Sequence, residues 1–216
     1  MKSILIIGVG RFGKHLASKM QDLGNDVMIV DKNPTIIESA SSEFTDSLIG
    51  DCTNENVVRS LGVNNFDICF VTIGENFEAS LVITSILKSL GAKFVVAKAK
   101  RDIQSDILKK LGADEIIYPE REYAENLAMK YNAKNIFDYI QLTHDYSISE
   151  IPIMQAWLGK TVGSVNVRNT YKVNIIAIKN HNQFKLLPGA DYIFANDDHI
   201  VVVGTNEDVY RLSNKT

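Results

Sequence analysis

Three glycines set behind a short apolar run narrow what this chain can fold into. In "ILIIGVGRFGKHLASKM", residues 4–20, four apolar residues lead into Gly8, Gly10 and Gly13, and a helical spacing comes next. A GxGxxG spacing between a strand and a helix is the turn of a βαβ unit whose helix amides can hold an anion. Gly8 permits the tight turn, Gly10 a close backbone approach to a pyrophosphate, and Gly13 close packing of helix on sheet. A glycine-rich turn with no ligand has the same spelling. Asp31 argues for the ligand: it ends the next apolar run, 31 − 13 = 18 residues past the last glycine, against the roughly 20 expected of a ribose-binding acid. A carboxylate there accepts from ribose hydroxyls and repels a 2′-phosphate. Lys32 beside it means that NADP is disfavoured rather than excluded.

The punctuation then repeats. Strand-length apolar runs are expected at 3–7, 26–30, 44–49, 66–73, 94–98 and 115–118. Helical spacing is expected at 11–23, 34–42, 54–61, 76–90 and 103–111, with Gly24, Gly62, Gly91 and Gly112 as stops. Strands apolar on both faces belong to a parallel sheet covered by helices on both sides. The fold class is therefore α/β, a Rossmann-like doubly wound sheet. After residue 118 the pattern changes to a helix at 121–131, a connecting segment at 133–144, and then mostly strand: 146–152, "VNIIAIKN", a turn at 181–183, "FKLL", Pro188 and Gly189, and "HIVVVGT", closed by a short helix at 207–212. This predicts a boundary near residue 134, with a nucleotide-binding domain over 1–133 and a small α+β domain over 134–216.

Composition removes several classes of function. The formal net charge is −3, so neither nucleic acid nor a membrane surface is the expected main partner. No apolar run approaches the roughly 20 residues of a membrane span, and no signal-peptide pattern opens the chain. The two cysteines, Cys52 and Cys69, fit a reducing cytoplasm better than a disulfide scaffold.

Further strand ends point to the crevice where open α/β sheets bind ligands. "IGDCT" puts Asp51 after the third strand, as an adenine or ribose contact or as the N-cap of the next helix. "VTIGEN" puts Gly74 and Asn76 after the fourth. Arg11, inside the glycine loop, either reaches phosphates or is a solvated first-turn side chain. Phe12, Lys32, Asn33, Cys52 and Ile73 adjoin these positions and complete the candidate lining. Cys69, mid-strand, reads as core. A dehydrogenase would need an acid, base or clamp over the nicotinamide. His181 and His199 belong to no recognisable constellation, the histidines and cysteines lack metal-ligand spacing, and neither a GxSxG elbow nor a Walker loop occurs. Binding without chemistry is favoured; a small NAD-dependent oxidoreductase and a nucleotide-binding scaffold are the alternatives.

The combination "IIGVGRFGKHLA", "VDKNP", "GDCTNENVV", "FVTIGENFEAS", "LGADEIIYPE", "GKTVGSVNVRNTYKVNIIAIKN" and "LPGADYIFANDDHIVVVG" resembles the RCK (or KTN) regulators of potassium transport, above all the cytosolic subunits of Ktr-type uptake systems, with TrkA proteins as relatives that usually carry the modules twice. The resemblance spans essentially the whole chain. It implies a regulatory, non-catalytic subunit at the inner face of the cell membrane. Homodimers would assemble into an octameric ring under a membrane-embedded potassium-translocating subunit of the KtrB, KtrD or TrkH kind. It implies ATP or ADP, and NAD or NADH, in the N-lobe, with Arg11 on phosphate, Asp31 on ribose, Lys98 from the fifth strand, and Glu120 holding a divalent cation (Mg or Ca) against the phosphates. Asp51 departs from some relatives and is the least secure match, and Glu120 taken alone is equally a surface acid in a first helical turn. In the C-lobe the resemblance implies cyclic di-AMP at a two-fold interface, with Val165, Val167, Arg168, Asn174, Ile175, Ile176, Ala177 and Pro188 as its contacts; the apolar members also fit an alternating strand core.

Overall fold

The computed structural model describes residues 1–216 apart from 41, 45, 133, 134 and 182. The chain divides into two compact units, Met1–Arg121 and Glu122–Thr216. The boundary expected near residue 134 falls on residues outside the described ones, and so do residue 41 of the 34–42 helix, residue 45 of the 44–49 strand and residue 182 of the 181–183 turn.

The first unit alternates strand and helix: β1 (Ser3–Ile7), α1 (Arg11–Asp22), β2 (Asp26–Asp31), α2 (Pro34–Ala40), β3 (Asp46–Ile49), α3 (Glu55–Ser60), β4 (Ile68–Val71), α4 (Phe77–Ser89), β5 (Val95–Lys98), α5 (Asp102–Lys110) and β6 (Glu115–Ile117). All strand pairs are parallel and the order is β3-β2-β1-β4-β5-β6. The β1 run shows why: Ile4 and Ile6 join one core cluster with Ala17 and Ile29, while Leu5 and Ile7 join another with Val71, Ile83 and Leu87. Both faces of the strand are buried, which is the condition for a doubly wound sheet. The strand order reverses between β1 and β4, and such a switch point opens a crevice at the carboxyl ends of the strands. β4 is shorter than its apolar run, and a 3-10 turn at Val63–Asn65 precedes it.

In the second unit come the rest of α6 (Pro119–Asn132), β7 (Asp138–Gln141), β8 (Tyr146–Pro152), α7 (Val162–Val165), α8 (Val167–Tyr171), β9 (Asn174–Asn180), β10 (Gln183–Leu186), β11 (Asp198–Thr205) and α9 (Asn206–Ser213). Its sheet is antiparallel, ordered β10-β9-β11-β8-β7. Trp157 is the hub of its core, with the rings of Tyr171 and Phe194 each 5.5 Å away. The α/β plus α+β class holds, with two corrections. The segment 133–144, expected as a connection, contains β7, an edge strand on β8 in which Tyr139 alone is buried. Val165, Val167 and Arg168 lie on the short helices α7 and α8 rather than on strands.

Candidate functional site

The loop between β1 and α1 is built around a backbone that only glycine allows at two points. Gly8 has φ +95, and a Cβ there would stand 2.8 Å from Ile73 Cγ1. A Cβ on Gly13 would stand 2.2 Å from the Gly8 carbonyl oxygen. Gly10 differs: nothing lies within 4 Å of a Cβ placed on it. Its bare side faces open space. Gly10 is also the N-cap of α1, with no side-chain cap and no acidic residue in the first turn. The first amides of α1 are left for an outside acceptor, and the helix dipole adds positive potential there.

Asp31, at the end of β2, does more than face this loop. Its Oδ2 accepts from the Val9 amide at 2.8 Å, and its Oδ1 accepts from the Asn33 amide at 2.9 Å. Each carboxylate oxygen keeps a further acceptor site for a ribose hydroxyl. Asn33 turns its own Oδ1 to the Thr35 amide, while Lys32 is exposed. Arg11 is exposed at the start of α1.

At the other strand ends the structure sorts the candidates. Asp51 is not the cap of α3, because Asn54 is, accepting from the Asn56 amide. Asp51 instead takes the Thr53 amide at 3.0 Å and the Thr53 hydroxyl at 2.7 Å, and these bonds hold its carboxyl below the usual range. Cys52 is buried in the core cluster. Burial, with Asp51 and Asp31 nearby, pushes its thiol up to about 12, so it packs as a neutral group. Ile73 packs partly buried against the core. Asn76 caps α4, its Oδ1 taking the Ala79 amide at 2.9 Å. Gly74 lies close to Lys98, whose Nζ would be 4.0 Å from a Cβ there.

Lys98 ends β5 almost wholly buried and donates to Glu120 Oε1 at 2.5 Å. The same ammonium lies 5.4 Å from the centre of the Phe12 ring. Phe12, Gly74, Lys98 and Glu120 are thus brought together at one edge. The Lys98 hydrogen bond is the main reason the Glu120 carboxyl sits below its ordinary range. Among the described residues no group of three or more His, Cys, Asp or Glu could hold a metal, so a cation at Glu120 would need oxygens from a bound phosphate. One residue that sequence reasoning misses belongs here. Thr72, buried just past β4, places its Oγ1 2.5 Å from the Gly8 oxygen. It is the second residue of "VTIGEN", but nothing local marks a threonine that bonds a loop 64 residues earlier.

In the second unit a cleft of about 180 Å3 gathers Val162, Gly163, Asn166, Val167, Arg168, Val173, Asn174, Ile175 and Pro188. Five of the eight C-lobe candidates line it. Val165, Ile176 and Ala177 do not. Ala177 is buried and paired with Val201 and Leu186, Val165 packs on the Trp157 core, and the Ile176 carbonyl is taken by the Leu187 amide. Val167 lines the cleft but is itself core. Arg168 is exposed on α8. His199 bonds the buried Glu150, which also pairs with Lys179, while His181 sits in a turn at φ 52.

Against known proteins, residues 4–119 match the model of the TrkA-N domain and residues 147–216 that of the TrkA-C domain. The chain is 34% identical over 214 residues to the Ktr system potassium uptake protein C of Bacillus subtilis, covering 99% of this chain and 97% of that one. The Ktr system potassium uptake protein A of the same organism is also 34% identical, with 99% and 96% covered. Among solved structures, a GsuK channel bound to NAD matches with a TM-score of 0.67 at 18% identity, over 99% of this chain and 39% of that one.

Proposed function

This chain belongs to the TrkA-N/TrkA-C (RCK) family of potassium uptake proteins, and from that premise we propose that it is a nucleotide-sensing regulatory subunit of a Ktr-type transporter. The observation that carries the reading is the uncapped start of α1 beside the β1/β4 switch point, with open space over Gly10. An adenosine polyphosphate fits that edge by charge and by hydrogen bonding. The free amides and Arg11 take phosphate, and Asp31 takes the ribose. ATP, ADP and NAD(H) share these parts. The working partner is a membrane-embedded potassium-translocating subunit, and the chain acts from the cytoplasmic face as dimers assembled into an octameric ring. No helix among the described residues is long and apolar enough to cross a membrane.

The test is calorimetric titration with ADP, ATP and NADH, run beside an assay for hydride transfer. Binding without turnover supports the reading. Turnover of a hydride donor overturns it in favour of an oxidoreductase. For the cation, an ATP γ-phosphate brought near Glu120 is repelled unless a metal lies between them. Glu120→Gln is therefore expected to abolish the gain in ATP affinity on adding magnesium or calcium and to leave ADP affinity within about threefold. An unchanged magnesium effect in the variant removes Glu120 from the cation site.

The C-lobe cleft supports a second ligand. Its 180 Å3 falls short of the roughly 300 Å3 of a self-sufficient small-molecule pocket. A ligand with two adenine faces and two phosphates suits two such half-sites across a two-fold axis. Cyclic di-AMP is that ligand in the proposal, with Ile175 and Pro188 against adenine and Arg168 on phosphate. Arg168→Ala is expected to weaken cyclic di-AMP binding roughly tenfold or more, the worth of a charge-assisted contact, without changing the melting temperature of the unliganded protein, since Arg168 is exposed. Calorimetry giving equal affinity for the two proteins would dismiss Arg168 as a contact.

A further inference from the structure

We propose that Thr72 is a positioning residue for nucleotide binding: it fixes one peptide unit of the glycine loop from one end while Asp31 fixes it from the other. The inference rests on the nucleotide reading above and deepens it. The Gly8 carbonyl and the Val9 amide are the two poles of a single planar peptide. The oxygen pole takes the Thr72 hydroxyl at 2.5 Å, and the amide pole gives its hydrogen to Asp31 Oδ2 at 2.8 Å. One clamp comes from just past β4 and the other from the end of β2, the strands that flank β1 on either side. The peptide plane therefore cannot rotate without breaking a bond at each pole.

The clamp matters because the phosphate-facing end of α1 lies immediately beyond it in the chain. Gly10, the N-cap of α1, is the next residue after Val9, so the orientation of this peptide sets where the first helical amides point. A Cβ built on Gly13 would meet the Gly8 oxygen first, at 2.2 Å, and Thr72 Oγ1 next, at 2.7 Å. Loop, first helical turn and Thr72 thus share one packed contact. Thr72 is 5% exposed, so it acts through the loop rather than by touching a ligand. Its backbone amide is already committed to the Ile7 carbonyl at 2.9 Å, and its hydroxyl lies 3.2 Å from that same oxygen, so the side chain is held at the end of β1. Ribose on Asp31 and phosphate on the helix amides are coupled through this one peptide.

The experiment compares the unaltered protein with Thr72→Val, which keeps the shape and removes the hydroxyl, and Thr72→Ser, which keeps the hydroxyl. ADP binding is followed by calorimetry and exchange of the Val9 amide by NMR in the free protein. Thr72→Val is expected to weaken ADP about tenfold and to speed Val9 exchange well beyond that of the β1 and β4 amides. Thr72→Ser is expected to recover ADP affinity to within about threefold. Unchanged ADP affinity in Thr72→Val overturns the proposal. So does a loss that Ser does not rescue and that comes with equally faster exchange across β1 and β4, since that is a fold effect. If the unaltered protein binds no adenosine nucleotide, the nucleotide reading itself fails; Val9 exchange then still decides whether Thr72 clamps the loop.

Discussion

Gly13→Ala is expected to lower the melting temperature by about 5–10 °C and to reduce the proposed nucleotide binding below what calorimetry detects. The added methyl group would lie 2.2 Å from the Gly8 oxygen, and a backbone oxygen held by Thr72 cannot step aside as a flexible side-chain tip would. Either α1 moves off the sheet or the Gly8–Val9 peptide turns. Overpacking of this kind costs roughly 1–3 kcal/mol, and about 2–8 °C per kcal/mol is usual for domains of this size range. Gly10→Ala is the contrast. Nothing in the protein lies within 4 Å of its new methyl group, so the melting temperature should fall by only a few degrees, the cost of replacing glycine at an N-cap. The same methyl group occupies the open side, where the phosphates are proposed to approach, so ADP affinity should still drop. Thermal melting and ADP titration of the two variants check this. If both lose stability equally, or if Gly10→Ala binds ADP normally, the division of labour between these glycines is wrong.

Much of the first unit was legible because its physics is local. The inner strand runs are apolar on both faces, as β1 shows, and four helices stop at glycines that all take positive φ, Gly24, Gly62, Gly91 and Gly112. The site candidates came with it, because in a parallel sheet they sit where the strands end. How those residues bond to one another was not legible. Asp31 spends its primary acceptor capacity on two backbone amides, Asn76 is a helix cap, and Lys98 pairs with Glu120; the bonds from Asp31 to Val9 and from Lys98 to Glu120 depend on a fold that brings distant residues together.

The second unit hid more. β7 has no alternation to read, since "DYIQ" buries Tyr139 alone, and an edge strand is specified by its partner more than by its own pattern. The turn from α7 to α8 runs through Asn166 at φ 51, and α8 ends on Lys172 at φ 62. Neither is a glycine, so no punctuation marks these short helices. Arg168 and Asn174 do share a cleft with Pro188, while Ala177, on the same strand as Asn174, is buried away from it.

Asp31→Ala is expected to weaken ADP binding about 10- to 100-fold and to cost roughly 1–3 kcal/mol of stability, by two routes that the structure separates. Ribose hydroxyls lose a charged acceptor, worth about 1.5–3 kcal/mol per bond before water competes. The Val9 amide, in a partly buried setting, loses its partner, and leaving such a group unpaired carries the stability cost. The Asn33 amide is exposed and turns to water at little cost. Calorimetry with ADP and thermal melting measure the two routes, and unchanged ADP affinity would remove the ribose assignment. The double variant with Thr72→Val is the sharper test. If the two side chains clamp one peptide, the second removal finds the peptide already free, and the combined loss of ADP affinity falls short of the product of the single losses. Residues acting on separate parts of the site would give that full product. A multiplicative result would therefore leave Asp31 as a ribose contact alone and detach it from the loop.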